Sequence, residues 1–418
     1  MNIKKEVDII ILWPYRFREF DRARFEVECL KKESNVIIYE LIDAIYPHFS
    51  KAYHTQDNAS DVKRFSSLGA WRADYEDRVA SLKRKPYVIN HIPRSTFKDT
   101  YVNYVISKSN VNIISYDNYG IPDYLSDSEI NNFNLILIKL KFIIKRATFA
   151  LIRRRFLSRA MSILSGFLCR DSDFVLAVSG RCKNSPETNK KIIAANSYDY
   201  SSFLGYKNVE NENDLYKNCI VFLDSGFPLF KGDALLSKVS HPLTVEKWYP
   251  AIRKYFDYVE ESTSLEIVIA SHPKVKPNSE MRKAFGNRRI ICGKTQELVR
   301  SSKMTITRNS TSISFAVLYN KPLILVHSDE LLKDNNTYYN GIKYWSEELH
   351  TPYININHPH FTNEHKHIPQ VNKKAYTEYK LKYLTSRLDK KTNCRIIMDD
   401  IVKYTHAKKI TSNKCTKY

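Results

Sequence analysis

Residues 265–273 read LEIVIASHP, and residues 303–312 read KMTITRNSTS. Each is a short apolar run, rich in β-branched residues, that stops at polar residues, as a buried parallel strand does where it leaves its sheet. The amphipathic stretch 244–262 precedes the first strand, with Thr244 as a candidate N-cap, and another helix is predicted to begin near Thr311. This alternation of strand and helix predicts a doubly wound parallel sheet.

The same alternation runs along the rest of the chain. Further strands are predicted at 7–13, 36–42, 86–91, 112–117, 173–180, 191–204, 219–224, 288–293 and 321–328, and a charged helix is predicted at about 17–33. A polar and acidic stretch, 205–217, predicts a linker between two halves, and 418 residues suit two domains of about 200 residues each. We therefore predict an α/β protein with two Rossmann-like doubly wound domains facing a cleft. Their predicted bounds are 1–210 and 218–370, followed by a basic helical tail, 371–418.

The composition limits both the partners and the compartment. Lys and Arg number 66 against 45 Asp and Glu, and the net charge of +21 favours anionic partners. The sequence has no zinc knuckle, RNA-recognition or helix-turn-helix pattern, so we expect no nucleic-acid partner. The seven cysteines are scattered and never form a C-x-x-C pair, which predicts neither a disulfide framework nor a zinc site and fits a reducing cytoplasm. We find no signal peptide and no run of about 18 apolar residues.

Residues 128–168 form a basic and apolar segment with no acidic residue after Glu129. Leu, Ile and Phe alternate there with Lys139, Lys141, Lys145, Arg146, Arg153, Arg154, Arg155 and Arg159. On a helix, this pattern gives an apolar stripe flanked by cations, which can lie on an anionic membrane surface. A core helix with a solvated basic edge and a groove for an anionic acceptor are the alternatives.

Polar residues follow two strands of the second domain, where ligands of open parallel sheets bind. One group is His272, Pro273 and Lys274, with Lys276 nearby; the other is Arg308, Asn309, Ser310, Thr311 and Ser312. Free N–H groups at a helix start, hydroxyl donors and cations all favour a phosphate. Simple N-capping by Ser310 to Ser312 and a loop role for His272 are the structural alternatives.

These motifs resemble the nucleotide-binding half of GT-B glycosyltransferases, over about 219–326. Bacterial sialyltransferases, polysialyltransferases and the Kdo transferases of capsule export carry an HP dipeptide and a downstream Ser/Thr motif, here His272-Pro273 and Ser310-Thr311-Ser312. The resemblance implies that His272, Ser310 and Thr311 bind the CMP portion of the donor, and that the fold is GT-B-like. CDP-glycerol-type polymer transferases share a similar layout, so the donor stays open.

The general base is the least defined part of the predicted site. An acceptor hydroxyl must lose its proton as it attacks the anomeric carbon, and an aspartate near the cleft can take it. The acidic motif that supplies this base in sialyltransferases has no full copy here. Asp117, Asp199 and Asp224 are the candidates, and a turn or cap role is the alternative for each.

Together these observations predict a glycosyltransferase of capsule, lipopolysaccharide or O-antigen synthesis. It would transfer a sugar from a CMP-linked, Kdo- or sialate-like donor held by the second domain to a glycan or lipid-linked acceptor held by the first. We expect no metal or other cofactor, and a cytoplasmic enzyme at the inner face of the membrane. A CDP-polyol phosphotransferase of teichoic-acid-like synthesis and a non-catalytic scaffold of the capsule assembly complex are the alternatives.

Overall fold

The computed structural model describes residues 7–50, 60–117, 149–178, 191–206, 217–229, 242–272, 275, 277–332, 337–358, 368–403 and 405. They divide into two compact units. The first unit contains the described residues up to Ser202 and those from Ser386 onward, and the second contains those from Phe203 to Thr385. Residues of the predicted basic tail therefore belong to both units.

The first unit is built on a seven-stranded parallel sheet of order β3-β2-β1-β4-β5-β6-β7. The strands are β1 Val7–Trp13, β2 Ser34–Glu40, β3 Val62–Arg64, β4 Tyr87–Asn90, β5 Asn112–Asp117, β6 Phe174–Val178 and β7 Lys191–Ala195. The helices are α1 Glu19–Arg24, α2 Val27–Glu33, α3 Ile42–Ile45, α4 Pro47–Ser50, α5 Leu68–Ser81, α6 Phe97–Lys108, α7 Phe149–Leu168 and α8 Tyr198–Tyr206, which continues into the second unit. A short helix, Asn393–Arg395, and a π-helical segment, Ile396–Lys403, complete the unit.

The continuous apolar run of β1 is explained by burial on both faces of this sheet. Ile9 and Ile11 belong to one buried cluster, and Ile10 and Leu12 belong to another on the opposite face. Because side chains alternate across a strand, only a strand covered on both sides requires every residue to be apolar. The doubly wound prediction is confirmed for this unit.

The second unit has a six-stranded parallel sheet of order β10-β9-β8-β11-β12-β13. The strands are β8 Cys219–Leu223, β9 Glu266–Ser271, β10 Ile290–Cys292, β11 Met304–Thr307, β12 Leu323–His327 and β13 Tyr353–Asn355. The helices are α9 Val245–Thr263, α10 Ser279–Ala284, α11 Thr295–Ser301, α12 Ile313–Leu318, α13 Asp329–Leu332, α14 Thr337–Leu349 and α15 Lys373–Tyr379, which continues into a π-helical turn, Lys380–Leu384. The predicted α/β architecture with two parallel sheets is confirmed.

Two predicted elements differ from the structure. The helix predicted at about 17–33 is two short helices, α1 and α2, because Glu26 between them has a left-handed backbone, with φ of 52°. The stretch 191–204, interpreted as a strand, is β7 followed by α8. Strands β3 and β13 were not predicted because their sequences, VKR and YIN, contain no run of apolar residues such as the IIC of β10.

The structure joins Cys29 of α2 to Cys394 by a disulfide, across 365 residues of sequence. The scattered cysteines had predicted no disulfide framework, so this pair is a departure from the expectation. Cys394 lies in the chain segment that returns to the first unit, and tertiary packing rather than sequence spacing brings it to α2. Cys169, Cys219 and Cys292 are free thiols in the structure.

An ion-pair network fixes the start of β3 to α1. Both guanidinium nitrogens of Arg22 bond the Asp61 carboxylate, at 2.9 and 2.8 Å, and Lys31 lies 2.5 Å from the same carboxylate. The bond from Arg22, with help from Lys31, lowers the pKa of Asp61 to about 2. A depressed carboxyl pKa stabilises the fold above the unfolded value and loses that effect as pH falls towards the folded value.

We expect Asp61→Asn to lower the free energy of unfolding by roughly 2 kcal/mol at pH 7. The difference from the wild type should shrink as pH falls from about 4 towards 2, where the wild-type carboxyl is itself protonated. Urea unfolding at several pH values measures this change. Asp77→Asn, in α5, is the matched control, and a destabilisation that does not change with pH would contradict the prediction.

Candidate functional site

The site candidates of the second unit lie where its strand order reverses. Strands β9 and β10 lie to one side of β8, whereas β11, β12 and β13 lie to the other, so the reversal falls between β8 and β11. Loops leave the carboxyl ends of such neighbouring strands in opposite directions and open a crevice, which is where ligands bind in this class of sheet. Asp224 follows β8 directly, and Arg308 follows β11 directly.

Arg308 is a buried cation at this crevice, with 1% of its surface exposed. Its Nη2 donates a hydrogen bond of 2.7 Å to Ser225 Oγ, from the loop after β8. The guanidinium carbon lies 5.7 Å from the centre of the Trp248 ring in α9. The loop after β8 and the helix α9 therefore hold the planar guanidinium in one orientation, as bidentate recognition of a phosphate or carboxylate requires.

Asp224 is a buried carboxylate beside this cation, with 5% exposure. Gly226 N–H donates to its Oδ1 at 3.0 Å, from a left-handed backbone with φ of 84° that suits glycine. Its Oδ2 is buried and has no hydrogen-bond partner among the described residues. Burial raises the pKa of Asp224 to about 6, against the opposing effects of the Gly226 bond and the Arg308 charge. A carboxyl poised near neutral pH can take or give a proton there.

The structure places His272 and the Ser310 turn at the same edge of the sheet. His272 follows β9 and is partly exposed, and β8 separates β9 from β11. The ends of β9 and β11 are thus about 10 Å apart, since neighbouring strands lie about 4.8 Å apart. Pro273, Lys274 and Lys276, also predicted to contact the donor, lie outside the described residues.

The three hydroxyl residues after Arg308 differ in their surroundings. Ser310 N–H donates to Thr307 Oγ1 at 3.2 Å, and Ser310 Oγ accepts from Ser312 N–H at 3.4 Å. Thr311 is exposed. Ser312, and not Thr311, is the N-cap of α12, and its side chain makes no capping bond among the described contacts. N-capping by Ser312 therefore does not account for this Ser-Thr-Ser run.

A cavity of about 460 Å³ lies further along the same edge of the second sheet. Its walls come from α9 on one side and from the start of α13 and the loop after β13 on the other: Lys247, Pro250, Ala251, Lys254, Asp329, Glu330, Ile356 and Asn357. Thr244, the predicted N-cap of α9, donates through its N–H and hydroxyl to Glu330 Oε1, at 3.1 and 2.8 Å. The cavity has the size of a small-molecule pocket and carries both cations and carboxylates.

The first unit has its own strand reversal, between β1 and β4, and His91 lies there. Its ring stacks between Phe25 and Tyr116, with centroid distances of 4.6 and 5.1 Å. Burial lowers the pKa of His91 to about 3, with a smaller effect from the charge of Arg24, so the imidazole is neutral at pH 7. Its Nε2 is buried and forms no hydrogen bond within the described part of the chain.

His91 was not among the site residues predicted from the sequence. The available signal was its position, directly after a predicted strand and two residues before Pro93, which resembles the setting of His272.

The other two aspartate candidates belong to the first unit. Asp117 is the last residue of β5, and Asp199 lies in the first turn of α8. The residues before them, Tyr116 and Tyr198, have ring centroids 5.4 Å apart, so the fold brings these two candidates into one neighbourhood. Both carboxylates are partly exposed, in contrast to Asp224.

One group of potential metal ligands is found within the described residues. The side chains of Glu26, Cys29 and Cys394 place one ligand atom each within 4.8 Å of one another. The two sulfurs are bonded to each other, and Glu26 Oε2 accepts a bond of 3.0 Å from Cys394 N–H. With the sulfurs in a disulfide, this group is a packing contact of the first unit and offers no thiolate ligand.

No protein-family model matches the sequence, and no curated protein matches it. Solved structures do resemble the fold. The wall teichoic acid polymerase TagF aligns with a TM-score of 0.53 and 11% identity, over 97% of this chain and 91% of that one. The UDP-GlcNAc 2-epimerase from Methanocaldococcus jannaschii aligns with a TM-score of 0.48 and 13% identity, over 95% of this chain and 99% of that one. At such identities the likeness concerns the fold, which is GT-B-like, as predicted.

Proposed function

We propose that this protein is a glycosyltransferase that binds a nucleotide-activated sugar at the β8/β11 crevice of its second unit. The observation that carries the proposal is the Arg308–Asp224 arrangement. A buried guanidinium, oriented by Ser225 and Trp248, lies next to a buried carboxylate with pKa about 6, at the strand reversal of a parallel sheet. A protein that only needed a stable core would gain little from burying these two groups.

Each of these residues has a separate role in the proposed reaction. Arg308 neutralises the phosphate or carboxylate of the donor, and His272 with the Ser310 and Thr311 hydroxyls supplies further donors along the same edge. Charge on the departing phosphate is then stabilised by groups already in place, which is the main contribution that a fixed cation makes to such a transfer. Asp224 takes the proton of the acceptor hydroxyl, and the acceptor is bound by the first unit.

The HP and Ser/Thr motifs favour a CMP-linked donor of the Kdo or sialate kind. Such a donor has a single phosphate and a carboxylate on the sugar, both of which suit Arg308 and His272. The pathway we propose is the synthesis of capsule, lipopolysaccharide or O-antigen polysaccharide, with a glycan or lipid-linked acceptor.

The second candidate is a phosphotransferase that uses a CDP-polyol to build a teichoic-acid-like polymer. The likeness to the wall teichoic acid polymerase TagF favours it, because that structure aligns with nearly the whole chain. The two candidates differ in the bond that breaks. The glycosyltransferase breaks the bond between the sugar carbon and the phosphate oxygen, whereas the phosphotransferase transfers the phosphate to the product.

A thermal-shift panel of CMP, CDP, UDP and GDP on the full-length protein tests the proposal. We expect CMP or CDP to raise the melting temperature by a few degrees, because a ligand at about 100 times its Kd adds about 2.7 kcal/mol. His272→Ala should abolish that shift, whereas His350→Ala, after α14, should preserve it. Analysis of the product of the accepted donor for phosphate then distinguishes the two candidates.

The panel can also contradict the proposal. Absence of a shift with all four nucleotides, from a folded protein, would exclude a nucleotide-activated donor and leave the scaffold hypothesis. A shift that survives His272→Ala unchanged would place the nucleotide elsewhere.

A further inference from the structure

The helix α7 turns a group of large apolar side chains towards solvent. From residue 157, where its side chains are described, five of its twelve residues are large, apolar and exposed: Leu157, Ile163, Leu164, Phe167 and Leu168. Phe167 is 85% exposed and Ile163 is 62% exposed, which is far beyond what a core helix shows. The interpretation of this segment as a core helix with a basic edge is wrong for its described part.

Small and polar side chains form the opposite, packed face of α7. Ser165 is fully buried, and Cys169, one turn later, lies with its Sγ 3.8 Å from the carbonyl oxygen of Thr100 in α6. Ser165 Oγ lies 3.6 Å from Cys169 Sγ. The helix is therefore attached to the first unit by this face, and the apolar face remains available on the other side.

Two aromatic residues of α6, the helix that contacts the packed face of α7, are also exposed. Phe97 is 73% exposed and Tyr104 is 40% exposed, and on a helix both share a stripe with Thr100, which contacts α7. The Lys108 ammonium lies 5.5 Å from the centre of the Tyr104 ring. Aromatic rings beside cations are typical of the interface between water and lipid headgroups.

The charge of α7 indicates which kind of partner binds its exposed apolar face. Over its 20 residues, α7 contains Arg153, Arg154, Arg155 and Arg159 and no acidic residue. Arg159 is exposed among the apolar side chains, and the whole chain carries +21. A second copy of this chain would bring the same arginines together across a two-fold axis, and the repulsion would oppose pairing. A lipid surface has anionic phosphates above an apolar layer, so it complements both the arginines and the exposed apolar side chains of α7.

We propose that the exposed apolar face of α7 docks on an anionic lipid surface. Among the described residues, no helix is long and apolar enough to cross a membrane, and the proposed contact is a helix that lies in the headgroup region. Leu157, Ile163, Leu164, Phe167 and Leu168 enter the acyl boundary, and Arg159 pairs with lipid phosphates. The inference does not rest on the proposed transferase activity.

Co-sedimentation of the full-length protein with vesicles tests this surface. We expect binding to vesicles of phosphatidylglycerol and phosphatidylcholine in roughly equal amounts, and about tenfold weaker binding to phosphatidylcholine alone. The double variant Ile163→Ser with Phe167→Ser should weaken partition into the anionic vesicles by about tenfold or more. Both substitutions are neutral, so the loss reports the apolar contact and leaves the electrostatic attraction unchanged.

Leu388→Ser is the matched control, because Leu388 is 90% exposed on the same unit but lies outside α6 and α7. It should bind vesicles as the wild type does, and circular dichroism should show all three proteins folded. Equal vesicle binding by the double variant and the wild type would overturn the proposal. It would also be overturned if the wild type were a dimer in solution that the double variant converts to a monomer, since a second copy would then cover the face.

Discussion

Arg308→Gln is expected to lower kcat/KM for the nucleotide-activated donor by about 10²- to 10³-fold, the loss found when one preorganised donor to a developing charge is removed. The wild-type guanidinium is buried and held by Ser225 Oγ at 2.7 Å, so it needs no reorganisation when the donor phosphate arrives. The glutamine side chain is polar, but it is shorter than that of arginine and carries no charge. Steady-state kinetics with the donor identified by the nucleotide panel measures the effect.

Two further variants separate the role of the charge from that of the geometry. Arg308→Lys keeps the charge but lacks the planar fork, and we expect it to recover only part of the lost activity. Arg282→Gln, on the exposed side of α10, removes a surface arginine of the same unit and should leave kcat/KM unchanged. Wild-type kcat/KM in a folded Arg308→Gln protein would contradict the assignment of Arg308 to the donor.

The pKa of Asp224 provides a second measurement on the Arg308→Gln variant. The positive charge of Arg308 lowers the pKa of Asp224, although burial has the larger effect. Without that charge, the acid limb of the pH–rate profile should move to higher pH. A general loss of structure would lower activity at all pH values and would not displace the limb in this direction.

The sequence was sufficient to predict those parts of the fold that local patterns determine. Continuous apolar runs such as IIILW at 9–13 exist because both faces of the sheet are covered, so they indicate a doubly wound sheet without a structure. The polar residues after β9 and β11 were recognisable because a parallel strand that ends in His or Arg places that side chain at the ligand-binding edge.

Features that depend on tertiary packing could not be predicted in this way. Asp117, Asp199 and Asp224 are equivalent in sequence, and only burial singles out Asp224. The Cys29–Cys394 pair is formed by a chain segment that returns after 365 residues. Likewise, whether the apolar residues of α7 face the core or the solvent depends on which side contacts α6, and a helical period contains no such information.

Asp224→Asn is expected to change activity and stability in opposite directions. As the base for the acceptor hydroxyl, Asp224 should contribute about 10²- to 10⁴-fold to kcat. The wild-type kcat/KM should fall about tenfold for each pH unit below about 6, where the carboxyl becomes protonated and cannot accept a proton. The asparagine variant should have low activity and no acid limb.

The stability effect follows from the same buried carboxyl. Below about pH 4 the wild-type residue is protonated in both the folded and the unfolded chain. Between the ordinary pKa of 3.8 and the folded value of about 6, only the folded chain retains the proton, so stability falls as pH rises across this window. The loss is complete above about pH 6 and amounts to about 3 kcal/mol. Asparagine has no proton to release, so Asp224→Asn should be more stable than the wild type at pH 7.5 by about this amount and equal to it near pH 4.

A loss of activity together with a gain in stability distinguishes a catalytic carboxylate from a structural one. A structural aspartate is stabilised by its ionised partners, and its loss would lower stability and activity together. Asp117→Asn, at the end of β5, is the matched control for the charge change and should leave the acid limb in place. Chemical denaturation at the two pH values and a pH–rate profile provide both measurements. A destabilised Asp224→Asn protein that keeps the acid limb would show that proton transfer occurs elsewhere, and the partly exposed carboxylates of the first unit would then be the sites to test.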